Sequence, residues 1–167
     1  LLKLSPEHRL FEKEFFIWIG SGSFTAVAGL QVDPLSTVMI LVVTGVGFLI
    51  HVYSIGYMHG DKSFYRYFTY LNLFTFSMLL LVLANNFLLM FIGWEGVGLC
   101  SYLLIGYWFE KKSASSAGKK AFIVNRIGDF GFILAILLIF VTFNTVDFTE
   151  VFHSAPKHLT TGSLVAT

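Results

Sequence analysis

Charge is what this sequence has least of. Only 13% of its 167 residues are Asp, Glu, Lys or Arg, while 56% are apolar and the mean hydropathy is +0.76. Soluble domains carry about 25% charged residues, so the composition excludes an ordinary soluble domain and indicates an integral membrane protein. A net charge of +1 gives no electrostatic basis for binding nucleic acid, and no basic cluster is interleaved with aromatics in a polar segment. The single cysteine, Cys100, leaves neither a disulfide framework nor a thiolate metal site. There is no phosphate-binding loop, dinucleotide fingerprint or catalytic triad, and no low-complexity tract, internal repeat or signal-peptide pattern. The chain opens on Leu1 rather than Met, which points to a fragment, a processed product or the product of a split gene.

What is there is a set of long apolar runs. Asp33-Pro34 signals a helix start, with Asp as N-cap and Pro in the first turn, and predicts a first span over about 35–55. A second span is predicted over about 68–84, a third over 87–109 and a fourth over 121–143. The polar pair Asn85-Asn86 between the second and third spans predicts a tight antiparallel turn. Ahead of the first span, residues 1–14 mix charges of both signs and suit a solvated connection. Two β-prone runs around Gly20-Ser-Gly-Ser23 are compatible with a hairpin or with an irregular aromatic loop at headgroup level. The expected fold class is an all-α membrane protein of about four transmembrane helices, preceded by a short hairpin-like extramembrane segment. Its divisions are 1–33 (extramembrane), 34–143 (four-helix transmembrane region) and 144–167 (extramembrane). Lys62, Arg66, Lys111, Lys112, Lys119 and Lys120 fall in the connections at one end, and only Lys157 lies near a span end at the other. The positive-inside rule then puts the first end in the cytoplasm or matrix and the hairpin on the opposite side.

The few charges inside the spans carry the functional reading. Glu95 lies well within the third span, where a carboxylate costs roughly 2.5–3.5 kcal/mol on insertion scales. The functional reading makes it a protonatable or ion-pathway residue facing protein; the alternative is a neutral carboxyl that only fixes packing. The fourth span contains Asn125, Arg126 and Asp129. Arg126 and Asp129 stand three residues apart on one helix, close enough to pair. Counted from the predicted span ends, each acid lies about 12 Å from a different face at 1.5 Å per residue, which suits a relay of titratable groups. No lysine lies inside any span, so a partner for Glu95 is expected from outside this chain. Gly93, Gly96, Gly98, Cys100 and Ser101 would let another backbone approach near it, by way of ordinary close packing for most of them. Haem on His51 would need a second intramembrane His on a facing helix, and His59 lies beyond the span.

The run Gly93-Trp-Glu-Gly-Val-Gly-Leu-Cys-Ser-Tyr-Leu-Leu-Ile-Gly106, followed by Asn125-Arg-Ile-Gly-Asp-Phe-Gly-Phe132, resembles the largest antiporter-like membrane subunit of respiratory complex I. That family comprises subunit 5 of the mitochondrial enzyme and subunit L of the bacterial NADH:quinone oxidoreductase. Val42-Val-Thr-Gly-Val-Gly-Phe-Leu-Ile-His51 and the Asp33-Pro-Leu-Ser segment are similar too. The resemblance runs from about Phe15 to Phe152, and the family's first two helices, lysine-bearing broken helix, downstream channel and long lateral helix have no counterpart here. It implies that Glu95 is the membrane glutamate that pairs with a lysine on a later helix, and that Arg126 and Asp129 are the charged positions of the next helix. It further implies a proton-translocating segment of an NADH:quinone oxidoreductase with no redox chemistry of its own. FMN, iron–sulfur clusters and quinone would belong to partner subunits. The implied partners are other membrane-arm subunits, a chain or region supplying the lysine helix, and the lipid bilayer. The implied location is the mitochondrial inner membrane, or a bacterial plasma membrane. The other readings are a subunit of a multisubunit sodium/proton antiporter and an inert structural remnant needed for assembly.

Overall fold

The computed structural model describes residues 9–22 and 24–158. Expectations for residues 1–8, Ser23 and 159–167 lie outside the described residues. Two antiparallel strands, β1 (Phe11–Ser21) and β2 (Phe24–Val32), precede five helices: α1 (Pro34–Tyr57), α2 (Phe64–Leu83), α3 (Phe87–Ile105), α4 (Lys112–Phe143) and α5 (Phe148–His158). The first four are long and apolar enough to cross a membrane. Of the two readings of the N-terminal segment, the hairpin is the one observed. It starts earlier than the β-prone run, because Phe11–Glu14, expected in a solvated connection, already pair with Gly29–Val32. Irregularities between Glu14 and Phe16 and between Ile17 and Ile19 break the strict alternation and twist the strand.

Helix ends follow local chemistry. Asp33 caps α1: its carboxylate accepts from the Ser36 backbone N–H at 2.6 Å, while Ser36 Oγ accepts from Asp33 N–H at 2.7 Å. This reciprocal box satisfies two donors that a helix otherwise leaves open. Asn86 caps α3 with a single bond, accepting from Leu89 N–H at 2.8 Å. Three expected boundaries are corrected. α2 begins at Phe64 rather than Phe68, taking Arg66 into its first turn, and α3 stops at Ile105 rather than Phe109, capped at Gly106. The basic stretch expected to be a loop is the start of α4, so Lys112, Lys119 and Lys120 are helical. The Ala- and Ser-rich segment 113–118 tolerates helix well, and a 32-residue helix is about 48 Å long, well beyond a hydrocarbon core of about 30 Å. Its first turns extend past the apolar span. The polar C-terminal stretch was expected only to be extramembrane. It contains α5, too short to span, with Val151 buried and Phe148 edge-on to Phe87 at 4.6 Å.

The helices pack in chain order, α1 on α2, α2 on α3 and α3 on α4, with α5 folded back on α4. The closest approach is between α2 and α3. A Cβ added at Gly93 would meet Leu81 N at 2.5 Å and Leu81 Cα at 2.6 Å, and one at Gly96 would meet Ser77 Oγ at 2.5 Å. Gly98, by contrast, has nothing within 4 Å. The small residues therefore divide: Gly93 admits the α2 backbone at Leu81, Gly96 admits the Ser77 side chain, and Cys100 is fully buried.

The hairpin closes one end of this row. Asn85 and Asn86 are buried there and form a polar knot. Asn86 Nδ2 donates to Val27 O at 2.7 Å and to Asn85 Oδ1 at 2.9 Å, and Asn85 Nδ2 donates to Glu12 at 3.0 Å. Phe87 N–H donates to Val146 O at 3.0 Å and Phe148 N–H to Asn85 O at 3.2 Å, which stitches the α4–α5 connection to the same knot. Ala26, Ile136 and Val146 form a small core beside it, with the Phe24 and Phe140 rings edge to face at 4.8 Å. The connections at 58–63 and 106–111 meet at the far end, where Tyr107 and Trp108 both donate to Asp61. Hairpin and lysine cluster thus sit at opposite ends, as the charge distribution predicts.

The close contact makes a paired prediction. Gly93→Ala should destabilise the folded protein by about 1–3 kcal/mol, the cost of overpacking a contact that cannot relax. Gly98→Ala should be neutral or stabilising by up to about 1 kcal/mol, since it only removes a helix glycine. Thermal unfolding of both variants in detergent checks the contrast.

Candidate functional site

The spans leave few polar side chains in their middle, and those of α3 and α4 converge. α3 presents Trp94 and Glu95 in succession, and α4 presents Arg126 and Asp129 one turn apart on the facing side. Arg126 Nη1 bonds Glu95 Oε2 directly, and the same nitrogen lies 3.6 Å from Asp129 Oδ2. The guanidinium also stacks on the Phe122 ring, its centre 4.7 Å away. Trp94 Nε1–H donates to Asp129 Oδ1 at 2.8 Å, and the indole packs edge-on to Phe132 at 5.9 Å. One cation thus serves two carboxylates, and a neutral donor from α3 holds the second carboxylate from its other side.

The burial of the group is graded. The Asp129 side chain is 8% exposed, Glu95 24% and Arg126 44%. Glu95 Oε1 is buried and, among the described residues, has no hydrogen-bond partner. A cavity of about 230 Å³ lies beside Asp129, walled by Trp94, Asn125, Gly128 and Phe132, ample for a water molecule.

Two expectations change. A partner for Glu95 was expected only from outside the chain, yet Arg126 of the next helix supplies one. The i, i+3 spacing on α4 had offered Asp129 as a pairing partner for Arg126, and the packing of α3 on α4 brings Glu95 to the same guanidinium. Trp94 had been read only as part of the motif around Glu95, and its role as donor to Asp129 depends on α4 lying against α3. His51 Nδ1 bonds Gly47 O at 2.7 Å within α1, and no bond joins its ring to another histidine among the described residues. No group of three His, Cys, Asp or Glu side chains able to hold a metal occurs among the described residues.

Comparison with known proteins bears on the same segments. Residues 18–68 match the family model described as the N-terminus of NADH-ubiquinone oxidoreductase (complex I) chain 5. Residues 84–166 match the model of the NADH:quinone oxidoreductase/Mrp antiporter transmembrane region. NADH-quinone oxidoreductase subunit L of Mycobacterium tuberculosis (strain ATCC 25618 / H37Rv) is 51% identical over 148 residues, 89% of this chain and 23% of the relative. Subunit L of Rickettsia bellii (strain RML369-C) is 48% identical over 149 residues, again 89% of this chain and 23% of the relative.

The chain belongs to the subunit 5/subunit L family.

A third relative, the NAD(P)H-quinone oxidoreductase subunit 5 of the Paulinella chromatophora organellar chromatophore, is 48% identical over 149 residues, 89% of this chain and 22% of the relative. The chain spans just under a quarter of the length of the subunit 5/subunit L relatives it matches. Both charged helices, α3 and α4, fall within the matched transmembrane region.

The shared cation makes two predictions. Arg126→Gln leaves two carboxylates facing one another with no counter-charge and should destabilise the protein by up to about 3 kcal/mol. Adding Glu95→Gln should restore at least half of that loss, because removing a partner from a buried pair is costly mainly through the charge it strands. Chemical denaturation of the single and double variants in detergent gives the coupling. Trp94→Phe retains the aromatic packing on Phe132 but removes the donor to Asp129. It should shift the infrared carboxyl stretch of Asp129, identified by its disappearance in Asp129→Asn, and leave helix content unchanged.

Proposed function

We propose that this chain is a proton-translocating segment of the membrane arm of an NADH:quinone oxidoreductase, with Glu95, Arg126 and Asp129 in the proton path. The observation that carries the reading is the carboxylate–guanidinium–carboxylate cluster within apolar helices. A guanidinium remains charged at all relevant pH values, so its position decides which of two nearby acids is favoured as the ionised form. Movement of Arg126 between Glu95 and Asp129 would exchange that preference and transfer a proton without any redox chemistry here. Glu95 Oε1 has no hydrogen-bond partner among the described residues, so a turn of the side chain would offer it to the lysine that the family resemblance assigns to a later helix. The cavity beside Asp129 offers room for water to carry the proton onward.

Coupling to electron transfer would then be electrostatic. FMN, iron–sulfur clusters and quinone belong on this reading to partner subunits, and the other membrane-arm subunits would bias the charge state of Glu95. The basic end would face the cytoplasm of a bacterium or the matrix of a mitochondrion, and the hairpin the opposite compartment. The family model shared with Mrp antiporters supports a second reading, a sodium/proton antiporter subunit. Copurification with flavin and iron–sulfur proteins would separate the two, and the NADH-quinone oxidoreductase relatives favour the first.

Glu95→Gln tests the proposal. The amide is nearly isosteric and cheaper to bury than a carboxylate, so the intact complex should assemble normally. Proton translocation should fall, and quinone reduction with it where the two are tightly coupled. Glu95→Asp should keep partial activity, because it retains the charge one methylene further from Arg126. Measurement of proton uptake and of assembly for both variants decides the matter. Wild-type pumping in Glu95→Gln would refute a role for Glu95 in the path.

A further inference from the structure

At the end opposite the hairpin, a second cation is placed unlike Arg126. Arg66, in the first turn of α2, has its guanidinium centre 4.9 Å from the Tyr107 ring and 5.2 Å from the Phe109 ring. Its Nη2 donates to Tyr107 O at 3.3 Å, while its Nε is buried and donates to nothing among the described residues. A guanidinium has five N–H donors, so most of this one is unspent.

The nearest acid is committed to other donors. Asp61 already accepts from Ser63 N–H at 2.7 Å, Tyr107 O–H at 2.9 Å and Trp108 Nε1–H at 3.3 Å. The Ser63 backbone bond first, then the Tyr107 hydroxyl, holds its carboxyl below the usual range, so Asp61 is a satisfied anion. Among the described residues none of Lys62, Arg66 and Lys111 forms an ion pair. Lys62, Arg66 and Lys111 face only Asp61 and Glu110 around the cavity they share, three cations against two acids. Lys111 meanwhile lies over the Trp108 ring at 4.8 Å.

Space accompanies the surplus charge. Arg66 lines two neighbouring cavities of about 250 Å³ each, which have Tyr107 and Phe109 in common. The first opens between α2, the end of α3 and the first turn of α4, where Tyr70, Tyr102 and Ser115 line it alongside the apolar Leu103. Hydroxyls, a guanidinium with an unpartnered Nε and an apolar wall thus meet at the ends of three membrane-length helices. Tyrosine and tryptophan at such ends mark headgroup depth, and basic pockets between helices at the cytoplasmic face suit anionic lipid headgroups.

We propose that this cleft binds the phosphate of an anionic phospholipid, with Arg66 as the cation that receives it and an acyl chain running along Leu103. Phosphate oxygens suit a planar guanidinium, and the Tyr70 and Tyr102 hydroxyls that line the cleft can donate to the same group. The site involves none of Glu95, Arg126 and Asp129, so it stands whether or not the proposed proton path does.

Native mass spectrometry of the intact assembly, delipidated in detergent and titrated with phosphatidylglycerol or phosphatidylcholine, tests it. The wild type should retain phosphatidylglycerol in preference to phosphatidylcholine. Arg66→Gln should weaken that retention about tenfold or more, as expected for loss of a charge-assisted hydrogen bond, with Arg66→Lys intermediate. Ser115→Phe should do the same by filling the cleft from α4 while leaving every contact of Arg66 intact, and it decides the question alone if Arg66→Gln does not assemble. Equal retention in wild type and Ser115→Phe, or no preference for the anionic lipid, overturns the proposal. Displacement of the lipid by millimolar inorganic phosphate would identify a free-phosphate site and overturn the lipid assignment.

Discussion

Where water is scarce an ionised carboxylate needs a cation, and in the middle of these helices one guanidinium meets that need for two acids. Arg126 reaches Glu95 on α3 and Asp129 on its own helix, and the arrangement depends on how α3 is rotated about its axis. That rotation is set from the other side. Gly93 and Gly96 lie against the backbone and side chain of α2 at Leu81 and Ser77, which directs Trp94 and Glu95 toward α4. The glycine face and the charged face of α3 are thus two consequences of one crossing. A shift that opened the first would withdraw Glu95 from the second.

The two ends of the helical row are held by different chemistry. At one end, buried amides of Asn85 and Asn86 tie the α2–α3 turn to the hairpin and to the connection before α5. Neutral amides can be fully satisfied there without a counter-ion. At the other end, charge and aromatic rings dominate: Asp61 gathers three donors, and Arg66 and Lys111 lie over rings. One end is closed by amide contacts that include the Glu12 carboxylate, while the other keeps cations near an interface. The same asymmetry marks the orientation that the lysine distribution assigns to the chain.

Much of this was legible in the residues. Four apolar runs marked four helices, Asp33-Pro34 marked the start of α1, and Asn85-Asn86 marked the tight turn, because each is a local consequence of hydropathy or of capping chemistry. The start of α4 was not legible, because its Ser residues and Gly118 favour helix less than its Ala and Lys do and its charge also suits a solvated connection. α5 was missed because its apolar residues are few and become helical only against Phe87 and the knot below it. At the site, Glu95, Arg126 and Asp129 stood out as charges where charge is costly. Their pairing did not, because spacing along one helix reports only neighbours on that helix.

The sequence by itself determined that the chain enters a bilayer, how many times its helices are long enough to cross, and which side chains are too polar to be there without a partner. These follow from transfer free energy, which is a property of residues one at a time. Only the tertiary structure decided that Arg126 is shared between Glu95 and Asp129, that Trp94 donates to Asp129, and that Arg66 is left with donors unspent beside a satisfied Asp61. Each of these is a contact between helices, fixed by the rotation and depth at which they pack, and glycines at a crossing set those quantities without leaving any periodic signal in the chain.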